Sequence, residues 1–144
     1  MDGVLAGARQ IMSTFLDTSV VVRYLTDAPP DMAARAAAVI DSERHLLLSL
    51  LVLAETAYVL GSVYGVPRAE VVDGLVALVL RRNITVPEVP KETAVEALLL
   101  CRASGKVSYS DALLWSLARS SDAPSVLTFD ADFPCHGLEV SAPA

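Results

Sequence analysis

Four acidic residues stand where acids are hard to explain by solubility alone, and their chemistry is that of a divalent-cation site. Glu55 is the one charged side chain in the apolar run 46–67, inside LSLLVLAETAYVLG. A carboxylate on an apolar helix is costly to bury unless a cation or hydrogen-bond donors meet it, and no basic residue sits within a helical turn. Asp17 is the only charge between Arg9 and Arg23 and directly follows the apolar run Ser13-Thr14-Phe15-Leu16. Asp111 and Asp130 lie in Tyr109-Ser110-Asp111-Ala112 and Thr128-Phe129-Asp130-Ala131-Asp132. Oxygen-only ligands of this kind suit Mg²⁺ or Mn²⁺ rather than zinc.

Each acid has a local alternative. Asp17 can cap the helix that follows it. Ser108 and Asp111 form a capping-box-like Ser-x-x-Asp, and an acid suits a first helical turn. Asp130 can open a turn. Glu55 has no such alternative within its helix, although a hydroxyl such as that of Ser110 or Thr128 could satisfy it. His45 and His136 fall outside these motifs and are expected in surface or core roles.

Positioning these acids requires alternating strands and helices. Short strands are expected over residues 13–16, 45–49, 84–86, 125–128 and 138–140, with helices over 20–25, 31–41, the Glu55 segment, 68–80, 90–101 and 108–119. In the helix over 90–101, Glu92, Glu96 and Arg102 mark the wet side. This alternation implies a parallel sheet with helices on both faces, whose sites form beyond the carboxyl ends of the strands. Asp17 and Asp130 follow such ends.

Composition bounds the function. The chain has 144 residues, 53% of them hydrophobic, and a net charge of −6; its pI is near 4.7 and its mean hydropathy +0.50. That supports one domain with a large core and argues against nucleic-acid binding through a broad basic surface. A nuclease whose metal ions meet the phosphate is not excluded. Arg23, Lys106, Arg119 and the Arg81-Arg82 pair are candidate phosphate contacts, with solvated surface charge as the alternative. Cys101 and Cys135 lack zinc-like spacing and read as reduced thiols, which fits a cytoplasmic location. Residues 1–14 have neither a basic n-region nor a long apolar h-region, so no signal peptide is expected. The run 46–67 reaches membrane-spanning length, but Ser49, Glu55, Thr56, Gly61 and Ser62 interrupt it, and a buried helix is the better reading.

Taken in order, Phe15-Leu16-Asp17-Thr18-Ser19, Leu53-Ala54-Glu55-Thr56, Tyr109-Ser110-Asp111-Ala112-Leu113-Leu114 and Leu127-Thr128-Phe129-Asp130-Ala131-Asp132-Phe133 resemble the four acidic motifs of PIN-domain ribonucleases. The similarity is greatest to VapC toxins of toxin–antitoxin pairs. It implies a three-layer α/β/α PIN-like fold with a mostly parallel central sheet of four to five short strands, over residues 1–144 with 1–12 as an extension before the first strand. It also implies a Mg²⁺- or Mn²⁺-dependent endoribonuclease with Asp17, Glu55, Asp111 and Asp130 as catalytic metal ligands. Ser19, Thr128 and Asp132 match secondary positions. The implied partners are an RNA substrate, a VapB-like antitoxin and a second copy of the chain, with no membrane.

Two other functions compete. One is a catalytically silent PIN-like domain that binds RNA or a partner. The other is a phosphotransferase with Asp17 as nucleophile, which the Asp-x-Asp pattern of such enzymes disfavours because Ser19 holds the second acid position.

Overall fold

The computed structural model describes residues 13–144. The extension expected over residues 1–12 lies outside the described residues. Eleven elements follow in order: β1 (Thr14–Phe15), α1 (Thr18–Thr26), α2 (Pro30–Ile40), β2 (Leu46–Leu47), α3 (Leu50–Ser62), α4 (Arg68–Val79), β3 (Ile84–Thr85), α5 (Lys91–Ala103), α6 (Tyr109–Arg119), β4 (Ser125–Leu127) and β5 (Glu139–Ser141). The architecture is α/β, with helices and short parallel strands as in a PIN-like α/β/α fold.

Strands β1, β2 and β3 lie side by side in that order, all parallel, with Thr14 beside Leu46 and Leu46 beside Ile84. Backbone bonds carry the ladder past the two-residue strands: Leu16 N–H donates to Leu47 O at 2.9 Å and Leu48 N–H to Thr85 O at 2.8 Å. Beyond Leu16 and Leu48 the chain must turn, because Asp17 and Ser49 already serve as N-caps of α1 and α3. That is why the strands are short.

Among the described residues the expected single central sheet is instead two sheets, since β4 and β5 pair there only with each other, in parallel, with Val126 beside Val140. All five strands are where the apolar runs place them. What periodicity cannot specify is which strand edge meets which, because that depends on how the helices between them pack.

Local punctuation sets the helix ends. Pro30 occupies the first turn of α2, and Pro67 and Pro90 immediately precede α4 and α5, where a missing N–H costs nothing. Gly65 closes the α3–α4 turn at φ 65 and Gly137 the turn before β5 at φ 71, both in the left-handed region. At Gly137 a Cβ would also meet the Arg119 guanidinium, with Nη1 at 2.5 Å.

The core is one cluster drawn from the β1–β3 sheet and the helices, with Val126 of β4 and Val140 of β5 packed against it. Leu16, Leu46, Leu48 and Ile84 supply it from the β1–β3 sheet, Leu53, Ala57 and Leu60 from α3, and Val71, Val72 and Leu75 from α4. Leu98 and Cys101 enter from α5, and Trp115 from α6, with Phe133 reaching in from the segment between β4 and β5. Helix α1 packs on α2, α4 on α5, and α5 on α6. Glu92, Glu96 and Arg102 face water as their spacing predicts, and Arg102 Nε donates to Asp73 at 2.8 Å, joining α5 to α4 at the surface. No helix among the described residues is long and apolar enough to cross a membrane.

The apolar character of α3 misleads about Glu55. Buried Leu53, Thr56, Ala57 and Leu60 define its inner face, whereas Leu51, Glu55, Tyr58 and Ser62 form an exposed stripe at helical spacing. Leu51 is 75% and Tyr58 66% exposed. The desolvation penalty that singled out Glu55 therefore does not arise. Helix α4 hides its apolar residues more fully than α3 does.

Candidate active site

Asp17 sits at the carboxyl end of β1, where strand becomes helix. It is the N-cap of α1: its Oδ2 accepts the Ser19 hydroxyl at 2.6 Å and the Ser19 N–H at 3.3 Å. The Ser19 hydroxyl, then its N–H, holds the Asp17 carboxyl below the usual carboxylate range. The capping alternative is thus realised, and Ser19 acts by orienting Asp17. Such a cap leaves the second carboxylate oxygen available.

Asp111 occupies the first turn of α6, half-buried. Ser108 caps the helix by accepting the Asp111 N–H at 3.1 Å, so the Ser-x-x-Asp spacing also does its local work. Burial raises the Asp111 carboxyl above its ordinary value. A side-chain hydrogen-bonding contact with Asp130 raises it further; the Ser108 hydroxyl opposes this, and the charge of Asp130 adds a smaller upward push.

Asp130 follows β4 by three residues, and hydroxyl and amide bonds fix its turn. Thr128 Oγ1 accepts the Asp130 N–H at 3.0 Å, and Asp130 Oδ1 accepts the Asp132 N–H at 2.8 Å. Thr128 therefore shapes the backbone, and Asp132 contributes its main-chain N–H to Asp130. The turn alternative and the encounter with Asp111 coexist, because the turn engages Oδ1 alone.

Glu55 points from the exposed stripe of α3 into a cavity of about 590 Å³, whose opposite wall includes Ser108, Tyr109 and Ser110 at the start of α6. It thus shares a wall with the helix that carries Asp111. No hydroxyl of Ser110 or Thr128 satisfies it as a core residue, since it is not in the core.

Asp111 and Asp130 are the acids brought into contact. Among the described residues, no three His, Cys, Asp or Glu side chains gather closely enough to hold an ion. Asp17 and Glu55 do not complete such a group, because nearby donors satisfy Asp17 and water solvates Glu55 at less cost than crowding like charges together. The Asp111–Asp130 pair nevertheless fits a hard divalent cation: its donors are all oxygen, and a cation relieves the repulsion that raises Asp111.

Residues first match the PIN-domain family model at 14 and last at 135, which spans all four acidic motifs and most of the chain. The chain belongs to the PIN-domain family. PIN domains are generally nucleases that use divalent metal ions, so this PIN domain is nuclease-type and acts on nucleic acid. No curated protein matches it.

Two structural residues of this PIN domain escape sequence reasoning. Glu88, beyond β3, accepts the Ser49 hydroxyl at 2.6 Å and the Leu50 N–H at 3.2 Å, so it completes the α3 cap from a distant segment. Arg68, at the start of α4, donates to Cys101 O at 3.1 Å and Val107 O at 3.0 Å, and its guanidinium stacks 4.8 Å from the Tyr109 ring centroid. It clamps the loop before α6. Its lone charge just after Pro67 was the available signal. Arg23 donates to the Tyr64 hydroxyl at 3.0 Å, and Arg119 packs on Gly137. Cys101 and Cys135 are free thiols, and burial pushes the Cys101 thiol up to about 11. His45, exposed, meets Ser13 Oγ at 2.8 Å and Thr85 Oγ1 at 3.3 Å and bonds none of the four acids.

The carboxyl pair has a thermodynamic signature. A carboxyl raised in the folded state destabilises that state above its folded pKa, and the penalty fades as pH falls toward the unfolded value. Asp130→Asn removes the partner charge. In metal-free buffer at pH 7 the variant should melt higher than the parent, by roughly a few degrees for a gain under about 1 kcal/mol. The difference should shrink as the pH is lowered toward 4. Calorimetry at several pH values checks this, and a lower melting point at pH 7 contradicts it.

Proposed function

We propose that this PIN domain is a VapC-type toxin: a Mg²⁺- or Mn²⁺-dependent endoribonuclease that acts in the cytoplasm and is held in check by a VapB-like antitoxin. The observation that carries the chemistry is the nearness of Asp111, in the first turn of α6, to Asp130, in the turn after β4, close enough for Asp130 to raise the Asp111 carboxyl. Asp17 and Glu55 complete the proposed ligand set from the carboxyl end of β1 and from α3.

In this reading Asp111, Asp130, Asp17 and Glu55 hold the cation, which supplies acidified water and neutralises charge on the phosphodiester. Asp17 contributes an ionised carboxylate oriented by Ser19. Asp111, half-buried in the first turn of α6, would be the acid positioned to accept the proton of the attacking water. The Asp130 turn, fixed by Thr128 and Asp132, keeps that partner in place.

The net charge of −6 supports a substrate gripped locally rather than over a broad face. The same acidity suits a basic antitoxin segment, and exposed Leu51 and Val63 on and after α3 supply apolar area for an antitoxin or a second copy of the chain. A silent RNA- or partner-binding domain is the competing reading, favoured by the lack of a preformed three-acid group among the described residues.

The experiment is cleavage of single-stranded RNA by the purified chain. Cutting is expected with Mg²⁺ or Mn²⁺ and not in excess EDTA. Undiminished cutting in EDTA overturns metal dependence, and binding without cutting in either metal selects the silent domain.

A further inference from the structure

The cavity beside Glu55 is built from unlike parts. Tyr58, one turn beyond Glu55 on the exposed stripe of α3, is 66% exposed. Ser108, Tyr109, Ser110 and Arg68 line the same space, of about 590 Å³. That volume lies within the range of small-ligand sites, about 300–1,000 Å³.

The lining favours a flat group with polar edges. Arg68 is held in place through Nη1 by two backbone carbonyls and stacks on the Tyr109 ring. Tyr58 offers a free ring for stacking, and the Ser110 hydroxyl, 3.4 Å from the Ser108 hydroxyl that caps α6, offers a donor and an acceptor to an edge.

The cavity also adjoins the acids. Glu55 is on one wall, and the opposite wall is the first turn of α6, which carries Asp111. A strand that crosses the first turn of α6 passes both Asp111 and this cavity.

We infer that this cavity receives one unpaired nucleobase next to the scissile phosphate, stacked on Tyr58 and read at its edge by the Ser110 hydroxyl. The inference rests on the RNA-cleaving function proposed above and gives it a specificity pocket. Stacking on an aromatic ring requires an unstacked base, so the substrate is single-stranded or looped RNA rather than duplex.

The test uses single-stranded RNA carrying 2-aminopurine, titrated in Mg²⁺ into an Asp111→Asn chain so that turnover does not consume the probe. With Tyr58 present, the probe fluorescence should be quenched on binding. Tyr58→Ala should lose the quench and bind about tenfold more weakly, while Tyr58→Phe keeps both. Tyr58 is exposed, and matching melting curves for the three chains show that folding is unchanged. Equal affinity and quench in Tyr58→Ala overturns the pocket, as does equal loss in Tyr58→Phe. Both results leave the nuclease reading intact if the unmodified chain still cuts RNA in Mg²⁺. Neither binding nor cutting by the unmodified chain overturns that reading itself. Displacement of the RNA probe only by apolar peptides, with no quench at any probe position, assigns the cavity to a protein partner and overturns the nucleobase pocket.

Discussion

Asp111→Asn is expected to lower divalent-dependent RNA cleavage by about 10²- to 10⁴-fold, the range for loss of a positioned proton acceptor. The amide is nearly isosteric, and the helix cap survives, because Ser108 accepts the backbone N–H of residue 111 rather than anything from its side chain. What disappears is an ionisable oxygen at the meeting point with Asp130. The loss should fall on kcat more than on KM, since neither the RNA-facing cavity nor Asp17 is altered. Single-turnover cleavage with matched thermal melts measures it. Cleavage within about twofold of the parent removes Asp111 from the chemistry.

Trp115→Ala should carry the largest stability cost, about 3–5 kcal/mol. Trp115 is only 2% exposed and is the largest of the fully buried side chains. Its Nε1 donates to His136 O at 2.9 Å, which ties α6 to the turn before β5. The substitution therefore opens a cavity between α6 and its neighbours and frees a carbonyl that no longer has its donor. For a chain of this size the melting point should fall by roughly 10 °C or more. Trp115→Phe keeps most of the packing and loses the N–H, and should cost less than half as much, about 1–2 kcal/mol. Urea unfolding of both variants separates the contributions; a loss below about 1 kcal/mol for Trp115→Ala contradicts the packing role.

The Trp115 bond also explains how the second sheet is placed. Asp130 lies between β4 and β5, which among the described residues form a sheet separate from β1–β3. Its position relative to Asp111 depends on anchors from outside the strands: Trp115 to His136, and Phe133 in the core. A variant that loosens these anchors should weaken catalysis without touching an acid.

Much of the local organisation is legible in the residues. The Ser108 cap, the Asp17 cap and the Asp130 turn were each foreseeable, because a side chain and a backbone N–H two or three residues away form these bonds whatever the rest of the chain does. Helix α1 begins two residues before its apolar spacing does, at Thr18, because the Asp17 cap sets the start. The premise about Glu55 failed for an equally physical reason. An apolar segment of α3 has two faces, and composition alone cannot say that Leu51 and Tyr58 lie on the wet one beside Glu55.

By itself, then, the sequence determined the five strands, the six helices between them and the positions of the acids at strand ends and first turns, since short-range hydrogen bonds and apolar periodicity specify these. Tertiary structure alone decided three things: that Asp111 meets Asp130, that Glu55 stands in water across a cavity from Ser108, and that the strands divide into two sheets. Each depends on contacts between residues far apart in the chain. Those contacts are chosen by how whole helices pack against one another, and no local pattern encodes that choice.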